Sequence, residues 1–174
     1  MKPRLLALLL ALPAAAFAAD APAPSREHFA PRGMEASYHD YHYTPVLKVG
    51  EMVIVSGIPA AHGDTYEEKV RNLFRALERH LQEAGASLAD VVELTSFHPG
   101  ATDSAAFNAE FARFAPIHHE FFPDHYPAWS AVGTTALLMP TAVVELRAVA
   151  VIGSGKAPRA DIAKPGLRPA APAN

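Results

Sequence analysis

The chain of 174 residues carries 15 Lys and Arg against 18 Asp and Glu, a net charge of −3. It is too short for two ordinary domains with separate cores and too nearly neutral for nucleic-acid binding through a basic surface. Cysteine is absent, which excludes disulfides, thiolate nucleophiles and cysteine-type zinc sites and leaves histidine, carboxylate and hydroxyl chemistry.

Lys2 and Arg4 precede an apolar run from Leu5 to Leu12, and Ala16-Phe17-Ala18 fits an A-x-A cleavage pattern. Residues 1–18 therefore read as a secretory signal peptide, and a periplasmic or secreted protein is expected. The apolar run falls short of the about 20 residues that span a bilayer, so no membrane attachment is expected after cleavage. Residues 19–36, with Pro22, Pro24 and Pro31, read as an extended arm, and residues 37–153 as the folded domain. The segment 154–174, with Pro158, Pro165, Pro169 and Pro172 and no apolar period, reads as a disordered tail.

Within the domain, Pro45–Val49 and Met52–Ser56 flank Gly50-Glu51 as a hairpin. Asp64, three residues before Glu67, reads as the cap of a helix whose Val70, Leu73, Leu77, Leu81 and Ala84 form one apolar stripe, stopped by Gly85. Val91–His98 is rich in β-branched and aromatic residues and predicts a strand ended by Pro99-Gly100. A second helix is expected from Asp103, with Phe107, Phe111 and Phe114 on one face and Pro116 closing it. Ser130–Leu138 and Ala142–Ile152 predict two further strands joined around Met139-Pro140. The order ββαβαββ is an α+β domain in which two helices cover one face of a sheet, and the other face needs a partner, so an oligomer is expected.

Three segments, YTPVLKVGEMVIVSG, AGASLADVVELTSF followed by DSAAFN, and PAWSAVG…LLMPTAVVELRAVAV, together resemble the YjgF/RidA reactive-intermediate deaminase family from about Tyr43 to Val151. The resemblance implies a chorismate-mutase-like mixed sheet with two helices on one face, a homotrimer with ligand clefts between subunits, and hydrolysis of imines and enamines of 2-amino acids without cofactor. Carried over by position, it implies that Tyr43, Ser56, Gly57 and Asn108 are ligand-binding and that Glu145 is the acid near the attacking water. The chain departs from the family at PAWS: Trp129 stands where family deaminases have the arginine that grips the substrate carboxylate, and Ala131 where cysteine is common.

A guanidinium offers a carboxylate two parallel charged donors, whereas indole offers one neutral N–H. The expected ligand is therefore a small neutral or aromatic metabolite stacked on Trp129, which also has a packing reading at a subunit interface. Arg147 shares a strand face with Glu145; it either presents a guanidinium to the ligand or pairs with a carboxylate. Glu145 has a catalytic reading, holding or deprotonating water, and a structural one, pairing across the sheet. Two function classes follow: an altered imine deaminase, or a non-catalytic ligand-binding or partner-interaction protein of the same fold.

The chain has nine histidines, and His118, His119 and His125, joined by His39 or His42, raise a metal reading, but their spacing fits no ligand pattern and no metal site is assigned. The segment PIHHEFFPDHYP reads as a cleft rim or lid. Gly153-Ser154-Gly155-Lys156 lacks the first glycine of a phosphate loop, and no G-x-S-x-G is present.

Overall fold

The computed structural model describes residues 25–162; the expected signal peptide, the start of the arm and the end of the tail lie outside them. The elements are β1 (Arg26–Phe29), α1 (Glu35–His39), β2 (Val46–Val49), β3 (Met52–Pro59), α2 (Tyr66–Glu83), β4 (Val91–Pro99), α3 (Ser104–Phe121), β5 (Ala128–Thr134) and β6 (Glu145–Val151). The strands form one mixed sheet in the order β1-β2-β3-β6-β4-β5, antiparallel throughout except for the parallel pair β4 and β5.

The expected hairpin is present as β2 and β3, with Val46 opposite Val55 and Val49 opposite Met52. Val46, Val53 and Val55 are fully buried on the face that α2 and α3 cover, together with Leu146, Ala148 and Ala150 of β6 and Leu94 of β4. Helix α2 seals this face with Val70, Leu73, Phe74, Leu77 and Leu81. Its cap lies one residue later than the spacing suggested. Thr65 accepts from the Glu68 amide at 3.2 Å while Glu68 Oε2 accepts from the amides of Thr65 and Asp64 at 3.1 and 2.9 Å, a reciprocal capping box. Asp103 caps α3 as expected, its Oδ1 accepting from the Ala106 amide at 2.8 Å.

Four expectations are corrected. Pro116 does not close α3, which continues to Phe121 because Ile117, His118 and Phe122 beyond it are buried and offset the lost backbone hydrogen bond. For the same reason the first half of PIHHEFFPDHYP is the end of α3 and not a lid, with Ile117, His118 and Phe122 in the core. Strand β5 stops at Thr134, where its partner β4 ends at Pro99, and β5 and β6 are not neighbours because β4 lies between them. The arm and tail are partly ordered: β1 pairs with β2, α1 follows it, and residues 154–156 form a 3-10 turn whose Gly155 amide donates to Asp90 Oδ1 at 3.0 Å.

A proline within a helix costs ~3 kcal/mol relative to alanine. Pro116→Ala restores a donor in the middle of α3 and is expected to stabilise the fold by about 1–3 kcal/mol, seen as a higher midpoint in thermal denaturation; an unchanged or lower midpoint would show that the proline sits without strain.

Candidate functional site

Alternation along β6 puts Leu146, Ala148 and Ala150 under the helices and Glu145, Arg147 and Val149 on the open face of the sheet. Glu145 lies opposite Pro59 of β3 and Phe97 of β4. Between Val55 and Ile58 the register of β3 shifts, and this irregularity brings Gly57 under the Glu145 carboxyl. A Cβ at Gly57 would collide with Glu145 Oε1. Among the described residues the Glu145 side chain has no hydrogen-bond or ion-pair partner, and burial pushes its carboxyl above the usual carboxylate range. A carboxylate held this way, half-buried and uncompensated, is a better proton acceptor than an ion-paired one.

The neighbouring residues are arranged around it. Ser56 Oγ donates to the Thr44 carbonyl at 2.8 Å, which ties the segment after Tyr43 to β3, and Tyr43 donates to Ser37 Oγ at 3.1 Å. Arg147 resolves to the ion-pair reading, its Nη1 donating to Glu93 Oε1 at 2.9 Å. Gly57 and Glu145 are thus in contact, Ser56 ties Thr44 alongside them, and the Tyr43 side chain turns to Ser37.

Trp129, Ala131 and Asn108 lie apart from them. The register of β5 places Trp129 beside Leu94 and Ala131 beside Ser96, on the helix-covered side of the sheet. Ala131 and Asn108 are exposed, and Asn108 lines a shallow hollow of about 570 Å³ with Asp103, Phe107, Gly133 and Thr134. The indole of Trp129 packs inward: it stacks on His118 with ring centroids 4.3 Å apart and meets Phe111 and Phe114 at 5.2 and 5.7 Å. The ring is therefore stacked within its own chain, and the stacking surface expected for a ligand is reduced. Within one chain, Glu145 and Trp129 point to opposite faces of the sheet.

The Trp129 side contains a polar relay that the sequence motifs did not signal. Trp129 Nε1, a donor only, donates to Ser96 Oγ at 3.0 Å. Ser96 Oγ is 2.8 Å from His98 Nε2, and His98 Nδ1 is 2.6 Å from Glu110 Oε2, while Tyr66 donates to Glu110 Oε1. With Glu110 as the acceptor, His98 carries its proton on Nδ1 and receives the Ser96 hydroxyl proton on Nε2, so every member is satisfied. Burial and the Glu110 carboxylate push the Tyr66 phenol far up. Serine, histidine and a carboxylate in this order are the elements of an acyl-transfer triad, but Ser96 and His98 are fully buried, so no substrate reaches the hydroxyl. The relay joins β5, β4, α3 and α2. Alternation of Ser96 and His98 on a strand that buries one face was the available signal for it.

The histidines of the rejected metal reading are dispersed. His118 is buried in the aromatic stack, His119 is exposed, and His125 Nε2 meets the Val91 carbonyl. The described residues hold no group of three or more metal-ligating side chains.

The profile of the family described as Endoribonuclease L-PSP matches residues 35–152, which is the whole sheet apart from β1. The chain belongs to the YjgF/RidA family. It is 30% identical over 113 residues to the RutC family protein YjgH of Escherichia coli, covering 62% of this chain and 82% of that protein. It is 29% identical over 115 residues to a RutC family protein of Pyrococcus abyssi, covering 62% and 84%. A solved YjgF/YER057c/UK114 family structure from Mycobacterium tuberculosis superposes with a TM-score of 0.64 at 26% identity, over 74% of this chain and all of that one. The α+β mixed sheet with its helices on one face is thus the YjgF fold, and the identity to these relatives is low enough for the site to differ.

Two predictions follow from the inner face. Ser96→Ala strands Trp129 Nε1 and His98 Nε2 without partners and should cost about 2 kcal/mol; Trp129 is the single tryptophan, so urea denaturation followed by its fluorescence reads the loss directly. Burial holds the imidazoles of His80 and His118 down to about 4. Both are neutral in the folded protein and take up a proton near pH 6.5 when unfolded, so the unfolded state binds protons first. Stability should be full above pH ~6.5 and decline as pH falls toward 4, by up to ~3 kcal/mol per histidine, and His118→Phe should flatten that decline in denaturation midpoints measured at pH 7 and pH 5.

Proposed function

We propose that the protein is an exported YjgF/RidA homotrimer that binds a small neutral or aromatic metabolite in clefts between subunits and hydrolyses a reactive imine or enamine. The observation that carries this reading is the Glu145 carboxyl, half-buried, unpaired among the described residues and lying over the bare Cα of Gly57. Glu145 takes a proton from water as the oxygen adds to the C=N carbon and hands it to the nitrogen, giving the carbinolamine; the carboxylate then moves the hydroxyl proton to the nitrogen as the C–N bond breaks, and ammonia leaves a ketone. Water is the co-reactant, and no electrons are transferred.

The trimer is supported by the open sheet face. Leu47, Ile54, Phe97 and Val149 are only half-buried there and Met52, Val132 and Val151 are exposed, an apolar surface that a second copy would cover. A second copy would also bring the Asn108, Ala131 and Trp129 edge of one chain toward the Glu145 side of another. The family description mentions ribonuclease, but the net charge of −3 favours a small molecule over RNA. The substitution of an indole for the family's guanidinium supports a second reading, a binding protein without turnover.

Ammonia release from imines generated in situ from neutral and aromatic amino acids and amides, measured with and without the mature protein, separates the two. Turnover should fall by on the order of 10²–10⁴-fold in Glu145→Gln and also drop in Gly57→Ala, which displaces the carboxyl while leaving the fold intact by circular dichroism. No acceleration over buffer for any substrate, with a trimer confirmed by light scattering, would favour the binding reading; a monomer would remove the cleft altogether.

A further inference from the structure

A cavity of about 730 Å³ lies between the segment 31–37 and helix α2. Its volume is within the range of small-molecule sites. The cavity adjoins the Glu145 surface at Tyr43, Ile58 and Pro59 but extends away from it along α2, and Ser56, Gly57 and Glu145 do not line it. Its apolar lining includes Ile58, Leu73 and Ala76.

The charged lining is predominantly cationic. Lys69 and Arg79 come from α2 and Arg32 from the N-terminal segment, against one acid, Glu83. Lys69, Leu73, Ala76, Arg79, His80 and Glu83 follow one another at helical spacing, so one face of α2 builds the wall. Arg32 is carried on a defined turn: Pro31 is buried, its carbonyl accepts from the Met34 amide at 2.8 Å, and the Gly33 amide donates to Glu35 Oε2 at 2.9 Å. Gly33 has φ +88°, which a side chain rarely adopts. Lys69 Nζ donates to the Thr141 carbonyl at 3.2 Å and keeps two further donors. Among the described residues neither Arg32 nor Arg79 has an ion-pair or hydrogen-bond partner.

His80 also lines the cavity. It is 6% exposed, and its Nδ1 is buried without a hydrogen-bond partner. The Nδ1 atom faces protein and not the cavity, so the features that describe a site shaped for a ligand are the unpaired guanidinia beside an apolar floor, with the His80 ring at the wall as a reporter. The cations would neutralise an acidic head and the apolar residues would take an organic body.

We propose that this cavity is a second binding site, specific for a small organic oxyanion, a carboxylate or a phosphate ester, gripped between Arg32 and Arg79. The site is formed by α2 and the N-terminal segment of one chain, and the proposal stands independently of the imine reading.

Titrating the full mature protein with phenylacetate, phenyl phosphate and the neutral phenylacetamide, followed by the His80 imidazole resonances in NMR, tests it. The resonances are assigned with His80→Gln. At least one anion should shift His80 saturably, with the amide tenfold weaker or worse, and Arg32→Gln and Arg79→Gln should each weaken the anion tenfold; both arginines are exposed, so both variants fold. The stronger of the two anions names the head group. Equal binding of the amide, no saturable shift of His80 with either anion at millimolar concentration, or unchanged affinity in both arginine variants would overturn the proposal.

Discussion

The last strand of the chain lies in the middle of the sheet, and the placement of both faces depends on that pairing. β6 joins the hairpin of β2 and β3 to the parallel pair of β4 and β5 through two antiparallel ladders. With a period of two, its even residues must be apolar to sit under the helices, and its odd residues then emerge on the other side. Glu145 is on the open face because Leu146 is in the core. A one-residue slip would bury a carboxylate and expose a leucine, so the position of the proposed catalytic acid is secured by the hydrophobic energy of its neighbours.

The two faces handle polar atoms differently. On the covered face, the relay from Trp129 to Tyr66 is acceptable because each donor meets an acceptor. His118 and His80 are exceptions, neutral imidazoles with ring nitrogens that find no protein partner. His118 is compensated by stacking between Trp129 and Phe122. His80 has a cavity beside it instead, and this difference makes it the more informative of the two. On the open face, Arg147 pairs with Glu93 and leaves Glu145 alone, so local electrostatics do nothing to lower the affinity of that carboxyl for a proton.

Trp129 shows how one side chain can serve packing and hydrogen bonding together. A guanidinium at that position would need a charged or hydrated partner, which the cluster of Phe111, Phe114 and His118 does not offer. An indole satisfies the same position with its ring in the aromatic cluster and its one donor on Ser96. Trp129 therefore belongs to the packing of the inner side, where one side chain supplies both an aromatic contact and a satisfied donor.

The alternation of β3 and β4, the apolar stripe of α2 and the cap at Asp103 were legible because each reflects a local rule that the whole domain obeys. Pro116 was misleading because its local penalty is overridden by residues that bury after it, and β1 was missed because an edge strand of charged residues has no apolar period to read. The residue types at Glu145, Gly57 and Arg147 were legible as candidates from one strand and one turn. Which of them is free was not, since Arg147 finds Glu93 across a strand pair that is 54 residues apart. Periodicity and capping are properties of neighbours in sequence, and they determined the elements, while the family was carried by the resemblance of three segments. The opposition of Glu145 to Trp129, the relay through His98 and the cationic cavity against α2 were decided by strand order and helix docking alone, because each depends on contacts between segments whose separation along the chain carries no local signal.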